Sequence, residues 1–124
     1  MKMNTPWGCA DKVEQIGGGL VSVQTPSHGG IFVPLDSYRK MPVALQCNIY
    51  GGRTWFEEDI EWALVALAFP QYFDARSMHY AVGAFEHYAG KAPYASAAEW
   101  LATDSDGVRL AKLHATMPAA AAPA

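Results

Sequence analysis

The sequence has few of the residues that define a metal or redox centre. It contains only two cysteines, Cys9 and Cys47, which lie far apart and outside any C-x-x-C pair. Zinc knuckles and thiol-redox sites require closely spaced cysteines. We therefore expect two reduced thiols, no metal and no cofactor.

Long hydrophobic runs are also missing. The longest strongly apolar run, Trp62–Phe69, is less than half of the ~20 residues that a membrane-spanning helix needs. The opening MKMNTPWG contains no apolar segment typical of a secretory signal. The sequence therefore predicts a cytoplasmic protein with no membrane partner.

Positive charge is sparse and scattered. Lys and Arg number 9 among 124 residues, the formal net charge is −3, and Arg39–Lys40 is the only adjacent basic pair. Direct nucleic-acid binding through phosphates needs a basic stripe, and we expect none here. The 51% of hydrophobic residues instead predicts a packed globular core.

The first third of the chain has the pattern of an antiparallel meander. Alternating or β-branched apolar residues predict three strands, at Lys12–Ile16, Leu20–Gln24 and Ile31–Val33. Glycines 17–19 and the cluster Thr25–Gly30 are the expected turns between them.

The middle of the chain predicts two short helices and one ambiguous segment. Leu35–Met41 fits a helix with Asp36 as its N-cap. Val43–Tyr50 favours an extended segment, with a helical turn at Ala44–Cys47 as the alternative. Apolar residues at i, i+3, i+4, i+7 and i+8 from Ile60 then indicate a buried helix face. A capping box of Thr54 and Glu57 would start this helix.

The second half is expected to be helical. One helix should extend from about Arg76 to a stop at Gly90, and a short one should follow a capping box of Ser96 and Glu99. The last helix, 106–115, should pack through Leu110 and Leu113.

These elements together predict the fold class and the domain limits. We expect one α+β domain over residues 1–116, in which a small antiparallel β-meander packs against about four helices. Residues 117–124 are rich in Pro and Ala and should form a disordered tail.

An acidic turn beside two aromatic residues is the best candidate interface. Acidic residues favour the first turn of a helix for its dipole alone, but aromatic anchors beside charges also concentrate binding energy at interfaces. The candidate partner-binding residues are Trp55, Phe56, Glu57, Glu58, Asp59 and Glu61. We expect Glu58 and Glu61 to share one exposed helix face, so that reversing both charges changes stability little.

The pair Ser27–His28, on a glycine-flanked loop, is the main candidate catalytic feature; the carboxylates of Glu57–Glu61 are a weaker candidate for acid/base catalysis or for binding a metal ion. A serine nucleophile needs a base near its oxygen and a third group that orients the base. Adjacent residues in sequence rarely meet that requirement, so turn formation is the simpler interpretation. His79 and His87 lie eight residues apart, too far along a helix to share one ion.

Three motifs carry a resemblance to a known family. They are Thr5–Gly8 (TPWG), Thr25–Gly30 (TPSHGG) and Trp55–Ala63 (WFEED-x-x-WA), with Phe69–Pro70 after them. Over about residues 4–73 the chain resembles a domain-of-unknown-function family of proteobacterial plasmids, prophages and integrative elements. The resemblance implies a bacterial host, and the region after Asp74 falls outside it.

Three functional hypotheses follow. The first is an inhibitor of anti-CRISPR or anti-restriction type that binds a host protein or ribonucleoprotein complex and occludes its basic surface with the acidic turn. The second is a small hydrolase or transferase that uses Ser27 and His28 with a carboxylate from Glu57–Glu61. The third is a scaffolding subunit that acts as a homo-oligomer.

Overall fold

The protein is built around a four-stranded antiparallel sheet with helices on one face. The computed structural model describes residues 3–87 and 92–117. Its strands are β1 (Asn4–Thr5), β2 (Gly8–Cys9), β3 (Lys12–Gly17), β4 (Leu20–Gln24), β5 (Gly29–Phe32) and β6 (Trp55–Glu57). Its helices are α1 (Leu35–Lys40), α2 (Trp62–Ala68), α3 (Ala75–His87), α4 (Ala95–Leu101) and α5 (Asp106–Thr116), with 3₁₀ turns at Val43–Leu45 and Pro70–Tyr72.

The predicted meander is confirmed, and β6 extends it. The strand order is β3-β4-β5-β6, while β1 and β2 form a separate two-stranded hairpin. Ile31 lies opposite Ser22 on β4 and opposite Phe56 on β6.

The two faces of the sheet bury different clusters, because side chains alternate along a strand. Leu20, Ile31 and Phe56 belong to the main core, which the helices cover. Val21 and Val23 point the other way and form a smaller cluster, against which residues of the β1–β2 hairpin pack. This arrangement is the α+β architecture that the sequence predicts.

Helix α2 lies at the centre of the main core. Residues Ala63–Leu67 are all buried, and α2 contacts α3, α5 and the sheet. The apolar face of α3 packs against α2 through buried Met78, Ala81 and Phe85. In the described ranges, no helix combines the length and the apolar character needed to cross a bilayer.

The predicted capping box of Thr54 and Glu57 is wrong. Residues Trp55–Glu57 form β6 rather than a helical turn, and α2 begins only at Trp62. Pairing with β5 explains the difference, because it buries Phe56 completely in the core. Local helix signals did not reveal this long-range pairing.

The side-chain caps predicted for two other helices are also wrong. Helix α1 follows Pro34 without a side-chain cap, and Asp36 lies within its first turn. Helix α4 likewise has no side-chain cap; Ser96 donates its hydroxyl hydrogen bond to the Ala44 carbonyl at 2.7 Å. That bond joins α4 to the 3₁₀ turn Val43–Leu45, which occupies part of the segment predicted as extended.

Helix α5 faces the core with a different stripe from the predicted one. Leu110 and Leu113 are 42% and 60% exposed, whereas the smaller Val108 and Ala111 are buried. Close packing against α3 favours the small residues. The predicted stop at Gly90 lies outside the described residues, as do residues 118–124 of the predicted tail 117–124.

Candidate functional site

Glu57 closes the turn that connects the sheet to α2. Its carboxylate accepts hydrogen bonds from the backbone amides of Asp59 at 2.7 Å, Ile60 at 2.8 Å and Glu61 at 3.0 Å. These amides would otherwise lack partners at the start of a helix. Glu57 is 8% exposed, so both of its oxygens serve the local structure.

Glu61 is a second buried carboxylate, and it connects three parts of the chain. It is completely buried and accepts hydrogen bonds from the Ile49 amide at 2.5 Å and the Tyr94 hydroxyl at 3.1 Å. Longer contacts of 3.4 Å reach the amides of Tyr50 and Glu57. Burial raises the pKa of Tyr94, and the negative charge of Glu61 raises it further.

These positions correct the predicted interface. Phe56 and Glu61 are completely buried, and Glu57 is 8% exposed with its oxygens bonded to backbone amides. These three residues are therefore poor candidates for contact with a partner. Glu61 does not share an exposed face with Glu58, because its carboxylate satisfies backbone amides inside the protein. A substitution of Glu61 by Lys therefore cannot be neutral for stability.

The remaining predicted interface residues are more accessible. Glu58 and Asp59 are exposed. Trp55 is half-buried, with its ring edge-on to Trp7 at a centroid distance of 5.9 Å and tilted against Phe32 at 5.0 Å. These contacts hold the Trp55 ring in the smaller cluster with Val21 and Val23. Glu58 and Asp59 are therefore the stronger candidates for contact with a partner.

Glu58 lines a groove of about 590 Å³ between the sheet and the helices. We call it the acidic groove, because three carboxylates from separate elements and three aromatic side chains line it. These residues are Glu14, Glu58 and Asp74 with Trp62, Tyr72 and Phe73.

The three carboxylates of the acidic groove come from separate parts of the chain. The Glu58 amide donates to the Gly29 carbonyl at 3.0 Å, and a Cβ on Gly29 would lie 2.7 Å from Oε2 of Glu58. Asp74 caps α3 by accepting from the Ser77 amide at 2.7 Å, which lowers the pKa of Asp74. Glu14 projects from β3.

The sequence contains a signal for Asp74 that the sequence-based predictions missed. An aspartate before a helical pattern, with a free amide three residues later, is a typical N-cap. The proximity of Glu14, Glu58 and Asp74 has no such signal, since they are far apart in the chain.

His28 lines a separate cleft of about 280 Å³ together with Trp7, Tyr50, Glu57 and Asp59. This cleft brings the predicted histidine close to part of the predicted acidic turn. Ser27, although exposed, is outside the set of described residues that line it. The described lining of this cleft therefore includes an imidazole and carboxylates but not Ser27.

The TPSHGG motif forms the turn between β4 and β5. The Thr25 hydroxyl donates to the His28 carbonyl at 2.7 Å and accepts from the His28 amide at 3.1 Å. Gly30 is needed for close packing, because a Cβ there would lie 2.5 Å from the Trp7 ring. Turn formation and close packing therefore explain most of the residues of the motif.

The cysteines and the helical histidines form no recognisable centre. Cys9 is exposed and Cys47 is half-buried, and both are free thiols; burial raises the pKa of Cys47. His79 and His87 both line a shallow cleft of about 430 Å³ on α3 with Asp59. Within residues 3–87 and 92–117, no three His, Cys, Asp or Glu residues are grouped to hold a metal ion.

Comparison with known proteins places this small α+β domain in a family. The model of a domain of unknown function (DUF7007) matches residues 1–115, so the chain belongs to that family. The match includes the helical region after Asp74, which the resemblance carried by the sequence motifs leaves outside. No curated protein and no solved structure matches the chain at a significant level.

Proposed function

We propose that this protein is a binding module that occludes a basic, nucleic-acid-binding surface of a host defence complex. It would act in the cytoplasm of a bacterial host as a mobile-element inhibitor of anti-CRISPR or anti-restriction type. The observation that carries the binding role is the acidic groove, with carboxylates from three elements around aromatic walls. The resemblance to proteins of plasmids and prophages supports a mobile element in a bacterial host as the source of the protein.

The chemistry of the acidic groove suits cationic side chains. A guanidinium or ammonium group gains from nearby carboxylates and from the faces of aromatic rings. Carboxylates at the rim also attract a basic partner over a Debye length of about 8 Å at physiological ionic strength. Glu58 belongs to both the predicted acidic turn and the groove, and exposed Asp59 follows it directly.

The test is capture of a partner by the purified protein. We expect the protein to retain subunits of a CRISPR or restriction complex from host lysate at physiological salt, and to raise plasmid or phage survival in that host. The double variant Glu58→Gln/Asp74→Asn should lose both effects. Asn retains the ability to cap a helix, so the fold should survive.

A matched control separates the effect of removing charge from the acidic groove from the effect of changing the net charge of the protein. The variant Glu99→Gln/Asp36→Asn removes two exposed carboxylates outside the acidic groove and should behave as the parent. Retention that is unchanged in the Glu58/Asp74 variant, or equally lost in the control, would contradict the proposal. So would an absence of any retained defence subunit together with unchanged survival.

The enzyme hypothesis keeps one supporting observation. His28 lines the same cleft as Glu57 and Asp59, so a carboxylate is available near the imidazole. Glu57 is a poor orienting group, because three backbone amides already occupy its oxygens. Asp59 is the remaining choice, with water rather than Ser27 as the nucleophile.

A His28→Ala variant tests this second proposal. Catalysis through His28 requires that the substitution abolish the biological effect while the fold remains intact. Occlusion by the acidic groove requires that inhibition persist. The same assay therefore separates the two functions.

A separate observation supports the homo-oligomer hypothesis. Leu110, Leu113 and Met117 are exposed at i, i+3 and i+7 spacing on and just after α5, which places them on one helix face. Light scattering over a concentration series should report a rising mass if copies associate through this face. A monomer mass at all concentrations would exclude the scaffolding role.

A further inference from the structure

The acidic groove opens beside a strand that has an unpaired edge. Strand β3 stands at the end of the sheet, and among the described residues it pairs with β4 on one side only. Edge strands carry amide and carbonyl groups that are free to pair with another extended chain. Lys12, Glu14 and Gln15 are exposed along β3.

The open part of this edge is short. The pairing register shifts between Gln15 and Gly17, and such bulges limit further pairing. The Tyr72 ring also packs onto Gly17 and Gly18, where a Cβ would lie 2.5 Å and 2.7 Å from its atoms. Residues 12–16 are thus available, a length that accommodates about five residues of an added strand.

The groove-facing side chains of β3 connect this edge to the acidic groove. Glu14 and Ile16 both line the groove, and Glu14 lies opposite Ser22, which lines it as well. A strand added next to β3 would direct every second side chain over the same face. Those side chains would meet Glu14 first, with Glu58 and Asp74 further into the groove.

The charges favour a basic segment at these positions. Cross-strand pairs of opposite charge are stabilising, and like charges directly opposite each other are not. Lys12 already contacts Glu14 at 3.5 Å, with side chains 71% and 63% exposed. Such an exposed pair contributes little, so a partner's cation can replace Lys12 beside Glu14.

We infer that the β3 edge receives an extended, basic segment of a partner protein as an added strand, with alternate Lys or Arg side chains in the acidic groove. The partner's backbone would pair with residues 12–16 of β3. A second copy of this chain suits the edge less well, because it would bring another Glu14 and another acidic groove to the same place. This inference rests on the proposed binding function for the basic character of the partner.

A synthetic peptide tests the inference on the full chain. The probe is a fluorescent heptapeptide, acetyl-Thr-Arg-Val-Arg-Val-Arg-Thr-amide, measured by fluorescence polarisation. Backbone N-methylation of its five central residues removes the amide donors, and replacement of its Arg residues by Glu reverses the charge. We expect each change to weaken binding by about tenfold or more.

Variants of the protein locate the peptide. Glu14→Gln and Asp74→Asn should each weaken binding, while Glu99→Gln should not. Amide resonances of residues 12–16 should shift in NMR spectra when the peptide is added and gain protection from hydrogen exchange. All variants should unfold cooperatively, with Glu14→Gln and Glu99→Gln close to the parent in melting temperature and Asp74→Asn only slightly lower, because Asn still caps a helix; this excludes loss of fold as the cause.

Three results would overturn the inference. The first is equal binding of the N-methylated peptide, which would indicate docking through side chains alone. The second is a set of chemical-shift changes away from β3. The third is a concentration-dependent dimer that the peptide dissociates, which would indicate that a second copy occupies the edge. Strand addition of the peptide without any defence subunit in the lysate experiment would refute the proposed function alone. Capture of a defence complex with no peptide pairing at β3 would refute this inference alone.

Discussion

Substitution of the buried Glu61 should destabilise the protein strongly. The substitution Glu61→Gln preserves the size of the side chain but removes its charge and converts one oxygen into an NH₂ donor. Among the described residues, the groups that hydrogen-bond to Glu61 are donors: the Ile49, Tyr50 and Glu57 amides and the Tyr94 hydroxyl. A glutamine NH₂ group would therefore face backbone amides that can only donate, since among these partners the Tyr94 hydroxyl alone can also accept.

The cost of this change can be worked from the two shorter bonds. A hydrogen bond to a charged acceptor contributes about 1.5–3 kcal/mol and one to a neutral acceptor about 0.5–1.5 kcal/mol, so two such bonds lose roughly 2 kcal/mol. A buried donor left without an acceptor adds about 1 kcal/mol or more. We expect the free energy of unfolding to fall by about 3 kcal/mol.

Thermal and chemical unfolding measure this loss. For a domain of this size 1 kcal/mol corresponds to about 4 °C in Tm, so Glu61→Gln should melt roughly 12 °C lower. Tyr94→Phe removes a single partner from Glu61 and should cost about 1–2 kcal/mol. Glu58→Gln, the exposed neighbour, should stay within about 0.5 kcal/mol of the parent.

Two outcomes would contradict a structural role for buried Glu61. A Glu61→Gln variant that melts within about 2 °C of the parent would mean that the carboxylate does not hold Ile49 and Tyr94 together. Glu61→Lys supplies a second test, since a buried ammonium beside four donors should prevent stable folding. A well-folded Glu61→Lys protein would show that Glu61 lies at the surface, as the sequence pattern predicts.

Three further predictions test other parts of the fold. A thiol reagent should modify exposed Cys9 quickly and Cys47 slowly, because burial raises the pKa of Cys47 and lowers its thiolate fraction; equal rates in the native protein would contradict this. Ser105→Ala should reduce stability by about 1 kcal/mol through loss of the α5 cap, whereas Thr54→Ala, which removes no cap, should cost less in the same urea titration. The Asp74 carboxyl should titrate below its ordinary pKa in NMR spectra, so its contribution to stability is present above the unfolded-state pKa and is lost as the pH falls through the folded-state value; a normal pKa would show that it does not cap α3.

Local patterns in the sequence predicted much of the secondary structure. Alternating residues and glycines defined β3, β4 and β5, since side chains on a half-buried strand must alternate. Helical spacing placed the buried face of α2 and that of α3 through Met78 and Phe85. The α+β class followed from this order of strands and helices.

The sequence predicted part of the candidate site. It identified Glu58 and Asp59 as available carboxylates, but it also assigned Phe56, Glu57 and Glu61 to the surface. An acidic residue near a helix start is ordinarily solvated, and no local pattern reveals that the amides of Ile49 and Tyr50 require an internal acceptor.

Only the tertiary structure decided which acidic residues are buried and which are exposed. Pairing of β6 with β5 places Phe56 in the core and carries Glu57 and Glu61 inside with it. The same folding brings Glu14 and Asp74, 60 residues apart in sequence, to one groove beside the β3 edge. The sequence supplies these carboxylates, and their function depends on non-local packing because the free energy of a charge is set by what surrounds it.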